Sequence, residues 1–69
     1  MKFKVGDRVE ILERVSDTYG IYAEEGDRGT IRDFVTRPTN VLYKVEHDRT
    51  HYMLAIAEDT LTIAIEGVS

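Results

Sequence analysis

The sequence predicts an all-β domain of five short strands, with a one-turn 3₁₀ helix before the last strand. Two Gly-Asp-Arg tripeptides, at residues 6–8 and 26–28, each precede a run of strand-forming residues. Val41, Tyr43 and Val45 alternate with Leu42, Lys44 and Glu46, and groups of turn-forming residues separate the apolar runs. A period of two that is interrupted by turn formers is typical of antiparallel strands that bury one face.

The first half of the chain predicts two strands joined by a long loop. Residues 4–12 predict a turn and then a strand with Val9 and Ile11 on its core face. Residues 28–37 predict the second strand, and the spacing of its expected core contacts, Ile31 and Phe34, predicts a bulge near residue 32 or 33. The loop is expected over residues 13–27, because they are rich in turn formers. Four apolar loop residues are expected to pack against the core: Val15, Tyr19, Ile21 and Tyr22.

The second half of the chain predicts three further strands, at residues 41–46, 51–56 and 62–65. Turns are expected at residues 37–40 and 47–50, a 3₁₀ turn at residues 57–60, and a frayed tail at residues 66–69. The apolar Leu61 is expected to anchor the 3₁₀ turn. A helix over residues 51–66 is an alternative, because Met, Leu, Ala and Glu favour helices. The β-forming Thr and Ile residues near Asp59 favour strand, turn and strand instead.

Length and composition predict one small domain, residues 1–69, with an ordered core over about residues 4–65. The chain has 69 residues and no cysteine, so neither a disulfide nor a thiolate zinc site can support its small core. Strand closure, oligomerisation or docking on a larger partner is expected to do so. No apolar run is long enough to span a membrane and the first residues do not resemble a signal peptide, so a cytoplasmic protein without a membrane partner is expected.

The order of the motifs resembles that of a known group of small barrels. The motifs are Val5-Gly6-Asp7-Arg8-Val9-Glu10-Ile11, Gly26-Asp27-Arg28-Gly29-Thr30-Ile31, Val41-Leu42-Tyr43-Lys44-Val45 and Ala57-Glu58-Asp59-Thr60-Leu61. Together they resemble the SH3-like barrels of the KOW-like group, and the plan is also similar to that of the photosystem I reaction-centre subunit IV family. The resemblance implies a five-stranded SH3-like barrel with a long first loop. Its motifs are structural, and the tryptophan of peptide-reading SH3 domains is missing because the chain contains none.

The residue pattern does not favour catalysis. Ser16 and Ser69 lie outside any nucleophile motif, and the glycines at residues 26 and 29 lack the lysine of a phosphate-binding loop. His47 and His51 flank the turn at residues 47–50 and are expected to be solvated turn residues rather than metal ligands. The clustered carboxylates are expected to form a solvated rim. We therefore expect a protein that is not an enzyme and has no cofactor or metal.

The favoured function is a binding module for a protein partner, or for a second copy through an open sheet edge. Loops on a rigid scaffold often carry binding residues, and tyrosine is enriched where interfaces are strongest. The candidate protein-binding residues are Tyr19, Tyr22, Pro38 and Tyr52.

Two other functions remain open. The first is a KOW-like nucleic-acid-binding module that uses arginines near the first strands: Arg8, Arg28, Arg32 and Arg37. The net charge of −4 disfavours it, because nucleic-acid binders usually have a positive excess. Arg8, Arg28 and Arg32 also have an acidic residue within two positions, which favours cross-strand ion pairs on a solvated face. The second is a small accessory subunit docked on a larger enzyme chain.

Overall fold

The computed structural model describes residues 1–65, and within them the fold is all-β, as predicted. Five strands form one antiparallel sheet in the order β6-β5-β4-β1-β7, and β2 pairs with β3 in a separate hairpin. The strands are β1 (Arg8–Ile11), β2 (Val15–Asp17), β3 (Gly20–Ala23), β4 (Arg28–Thr36), β5 (Val41–His47), β6 (Met53–Ala57) and β7 (Leu61–Ile63). A 3₁₀ turn, Glu58–Thr60, precedes β7. The described residues do not form a closed barrel, because β6 and β7 remain at opposite edges of the sheet.

Two turns of the same form start β1 and β4. Gly6 and Gly26 have φ angles of 95° and 91°, a region that glycine enters without a steric penalty. In both turns the N–H of the following aspartate, Asp7 or Asp27, donates to a carbonyl three residues earlier at 3.0 Å. The aspartate side chain accepts the N–H of that earlier residue, at 3.0 Å in the first turn and 2.9 Å in the second. We call them the first and second Gly-Asp turns, residues 4–7 and 24–27.

The two Gly-Asp turns bind each other's strands. Gly6 donates its N–H to the Ile31 carbonyl and Gly26 donates its N–H to the Ile11 carbonyl, both at 2.8 Å. Between them, β1 and β4 pair antiparallel with Val9 opposite Gly29. The repeated tripeptide therefore builds one pseudo-symmetric unit at the centre of the sheet.

The core lies on one face of the sheet. Its members are Phe3, Val9, Ile11, Ala23, Ile31, Tyr43, Val45, Leu54, Ile56 and Leu61. The alternation predicted for residues 41–46 is present, since Tyr43 and Val45 are fully buried and Lys44 is exposed. The rings of Phe3 and Tyr43 meet edge to face with centroids 5.3 Å apart. The buried Leu61 follows the 3₁₀ turn, as the sequence predicts.

Strand β4 confirms the predicted bulge but not the predicted burial of Phe34. The register between β4 and β5 shifts between Ile31 and Asp33. Phe34 is 37% exposed, and all five residues Arg32–Thr36 are exposed. Strand β1 pairs with the first part of β4, so among the described strands the second part pairs with β5 alone and extends past the core.

The predicted loop at residues 13–27 contains a hairpin, β2 and β3. Asp17 nucleates its turn, since the carboxylate accepts the N–H of Tyr19 at 2.7 Å. Val15 and Tyr22 pack against the core as expected. The expected packing of Tyr19 and Ile21 is wrong, because they are 91% and 54% exposed at and near the hairpin tip.

The later boundaries differ slightly from the prediction. β5 continues to His47, β6 is Met53–Ala57 rather than residues 51–56, and β7 is Leu61–Ile63 rather than residues 62–65. His51 has a φ angle of 61°, which is a turn conformation and not an extended one, so β6 begins after this residue. The tail predicted at residues 66–69 lies outside the described residues.

Candidate protein-binding surface

Tyr22 and Tyr52, two of the four predicted protein-binding residues, line the same cavity. This cavity of about 270 Å³ lies between the β2–β3 hairpin and the turn that joins β5 to β6. Tyr19 is at the hairpin tip, and its side chain is almost wholly exposed. Pro38 is exposed in the turn between β4 and β5 and is not among the residues that line the cavity.

Tyr22 is held in a fixed position by contacts at both ends of its side chain. The ring is half-buried against the core, and the hydroxyl donates to the Asp17 carboxylate at 3.0 Å. This hydrogen bond raises the pKa of Tyr22, because the nearby carboxylate disfavours a second negative charge. The same carboxylate orders the hairpin turn at Tyr19. Asp17 therefore links the position of Tyr22 to the shape of the hairpin.

Exposed apolar side chains surround this cavity. Tyr52 is 64% exposed, and its neighbour Met53 is 55% exposed. A second cavity, of about 320 Å³, separates Val15–Asp17 from Met53–Ala55 and shares Tyr22 with the first. We call the surface made by Tyr19, Ile21, Tyr22, Tyr52 and Met53 the tyrosine surface. It is the described region where the predicted site residues come closest to forming one patch.

A buried histidine fixes the wall of the first cavity. His47 is 2% exposed, so the expectation of a solvated turn residue is wrong for it. Its Nδ1 accepts the N–H groups of Arg49 and Thr50, at 3.1 and 3.3 Å. The proton of the neutral ring therefore resides on Nε2, which donates to Asp27 at 2.7 Å. The turn bearing Arg49, Thr50 and Tyr52 is thus tied to the second Gly-Asp turn.

The sequence contains no local signal for the hydrogen bond between His47 and Asp27, because the two residues are twenty positions apart. The pKa of Asp27 is lowered, first by the backbone N–H of Glu24 and then by His47. His51 is exposed, as expected, and contacts Glu46 at 3.0 Å. Residues 1–65 contain no group of three or more side chains arranged to hold a metal ion.

Three of the four candidate nucleic-acid-binding arginines face carboxylates. Arg8 makes two hydrogen bonds to Asp48, at 2.5 and 2.6 Å, and lowers the pKa of that carboxyl. Arg32 lies 2.9 Å from Glu46, and Arg28 lies 3.7 Å from Glu10 across the β1–β4 pair. Arg37 is exposed in the turn after β4. The cross-strand charge pairs expected from the sequence are therefore present.

Comparisons with known proteins found no matching family model, no similar curated protein and no similar solved structure. In the part of the chain that the structure describes, no helix has the length and apolar character needed to cross a membrane.

Proposed function

We propose that this chain is a non-catalytic protein-binding module on an SH3-like barrel scaffold. Three features of the described residues support this scaffold: the strand order β6-β5-β4-β1-β7, the long bulged strand β4, and the 3₁₀ turn before the last strand. The β2–β3 hairpin, which lies in the chain between β1 and β4, is weaker support for the same scaffold.

The clustering of exposed aromatic side chains on a fixed scaffold is the observation that carries the binding function. Tyr52 and Tyr22 line one cavity, and Tyr19 is exposed at the tip of the hairpin that carries Tyr22. Large exposed apolar side chains that share one patch are typical of protein-interaction surfaces. The Asp17 and His47 hydrogen bonds hold the two walls of the patch in place, which lowers the entropy lost on binding.

Quantitative capture of native partners would test the tyrosine surface. Wild-type protein, Tyr19→Ala and Tyr52→Ala serve as baits, and the proteins retained are identified by mass spectrometry. Phe34→Ala is the matched control, because it removes an exposed aromatic ring from a different part of the sheet. We expect the same partner to be retained by wild type and by the control, and to be lost or strongly reduced with either tyrosine variant.

Circular dichroism melts establish that each bait remains folded. Equal retention by all four baits would contradict the tyrosine surface as the site. Binding of a random single-stranded oligonucleotide that falls steeply with salt would instead support the nucleic-acid alternative, because phosphate contacts release counterions. That alternative requires Arg8 and Arg32 to exchange their carboxylate partners for phosphates.

A further inference from the structure

Strand β6 is a sheet edge without the usual protection. Among residues 1–65 it pairs with β5 alone, in a regular register, and Met53–Ala57 contain no charged residue, proline or glycine. Natural proteins block exposed edges with charges, proline, bulges or a covering segment. Residues of β2 and of β6 line opposite sides of an open cavity of about 320 Å³, and β2 does not pair with this edge.

The free edge carries backbone groups that are oriented for pairing. The N–H of His47 donates to the Tyr52 carbonyl at 2.9 Å, which sets the alternation of the β5–β6 ladder. The two buried residues of β6 consequently direct their backbone polar groups to β5. Met53, Ala55 and Ala57 direct theirs away from β5, to the free edge. An added strand would satisfy these groups.

We infer that a second copy of this chain pairs with β6 along this edge, antiparallel and centred on Ala55. This inference rests on the proposed binding function and names the partner. In this register Ala55 lies opposite its own counterpart, and Met53 lies opposite Ala57 of the second copy. This strand pairing is unchanged when the two copies are exchanged, as a twofold dimer requires. It forms about six backbone hydrogen bonds between the two β6 strands.

Charges at the two ends of β6 favour a copy that runs in the opposite direction. Arg49 precedes the strand and lies 3.7 Å from Asp27, and Asp48 of that turn is already bound by Arg8. Glu58 and Asp59 follow the strand. Antiparallel pairing brings Arg49 of each copy towards Glu58 and Asp59 of the other, whereas parallel pairing brings the two acidic pairs together.

The paired strands also cover apolar side chains. Met53 is 55% exposed, and the proposed register places it beside Ala57 of the second copy. Leu42 is the next residue across that sheet, because it pairs with Ala57 in the β5–β6 ladder. At the centre, the small Ala55 side chains let the two strands approach without a clash. The dimer therefore replaces two open edges by one continuous sheet.

Sedimentation velocity of the purified chain over a concentration series measures the association. We expect the mass to rise from one chain towards two. Ala55→Lys places two positive charges together at the twofold axis and is expected to weaken the dimer at least about tenfold, the change that 1.4 kcal/mol produces. Ile63→Lys is the matched control, because it adds the same charge to an exposed position on the opposite edge strand, β7, and should leave the association unchanged.

Ala55→Pro gives an independent test, since proline removes the outward N–H without removing a bond to β5. Hydrogen exchange gives another: the Ala55 amide should exchange more slowly as concentration rises, while the Leu54 amide, which faces β5, should not change. A chain that stays monomeric at every concentration overturns the inference, as does a dimer that Ala55→Lys does not weaken. These measurements use the protein alone, so they can fail while the tyrosine-dependent capture succeeds, and the reverse.

Discussion

The two Gly-Asp turns have the same local structure but different relations to the rest of the molecule. Each has a glycine with positive φ and an aspartate that accepts a backbone N–H three residues earlier. Asp27 also accepts a hydrogen bond from Nε2 of the buried His47, and Arg49 lies 3.7 Å away. A short motif thus determines the turn, whereas the distant residues that the turn contacts determine how much of the protein's stability depends on it.

Of the corresponding positions in the two strands that follow the tripeptides, Gly29 should tolerate an added side chain least. It occupies the position of Val9 after an offset of twenty residues and lies opposite Val9 in the sheet. A Cβ at Gly29 would approach the Glu46 carbonyl oxygen and Val45 Cγ1 to 2.6 Å. We expect Gly29→Ala to lower the free energy of unfolding by about 3 kcal/mol or more, because a backbone oxygen cannot move aside easily.

Gly6→Ala is the control for this substitution, because open space surrounds Gly6 and only its positive φ angle opposes a side chain. We expect that variant to cost about 1–2 kcal/mol. Urea unfolding of both variants measures the difference. Equal losses at Gly6 and Gly29 would show that the close approach of β4 to β5 does not limit the side chain at Gly29.

Removing the two aspartates compares the turns directly. Asp27→Ala leaves the Nε2 proton of the buried His47 without its partner, and we expect it to lower the free energy of unfolding by about 2–3 kcal/mol. Asp7→Ala loses the corresponding local hydrogen bond and is expected to cost about 1 kcal/mol. Chemical denaturation measures both losses. A double-mutant cycle with His47→Ala should assign the excess to the Asp27–His47 pair, and a coupling near zero would refute this.

The stability of the protein should decrease in acid, partly because Asp27 of the second Gly-Asp turn becomes protonated. Native hydrogen bonds lower the pKa of Asp27, so this carboxylate binds protons less readily in the folded than in the unfolded chain. Its stabilising contribution is complete above the unfolded pKa, about 4, and is lost as pH falls through the lower folded value. The lowered pKa values of Glu46, Asp48 and Glu58 act in the same direction.

Stability should therefore fall as pH drops below about 4, and Asp27→Asn should reduce the slope by removing one of the groups involved. Thermal melts between about pH 2 and 6, the range in which carboxyl groups ordinarily titrate, measure how steeply stability changes with pH in both proteins. An unchanged slope in Asp27→Asn would contradict the role of the Asp27 carboxylate.

Features encoded by neighbouring residues could be predicted from the sequence. The glycines of the two Gly-Asp-Arg tripeptides, the alternation around Tyr43 and Val45, and the spacing of Ile31 and Phe34 predicted the turns, β5 and the β4 bulge. The hairpin at residues 13–27 was missed, although Asp17 two residues before Tyr19 is a recognisable turn signal.

Long-range contacts could not be predicted in the same way. His47 reads as a turn residue in its own segment, and its burial depends on Asp27 from another turn. Phe34 follows the apolar pattern, but it is exposed because β4 at that point extends beyond the part that pairs with β1. For the site, Tyr22 and Tyr52 were named from residue type alone, whereas their common cavity depends on how the hairpin folds against β6.

The bulge in β4 gives the strand a place where its length can change during evolution. Ile31 pairs with Val45 and Asp33 pairs with Lys44, which leaves Arg32 as the additional residue. Deleting Arg32 would restore a regular ladder and keep every later residue of β4 on its present face. A deletion in β4 outside the bulge formed by Arg32 and Asp33 would invert the side chains that follow. Deletions in descendants of this chain should therefore accumulate at the bulge more readily than elsewhere in the strand.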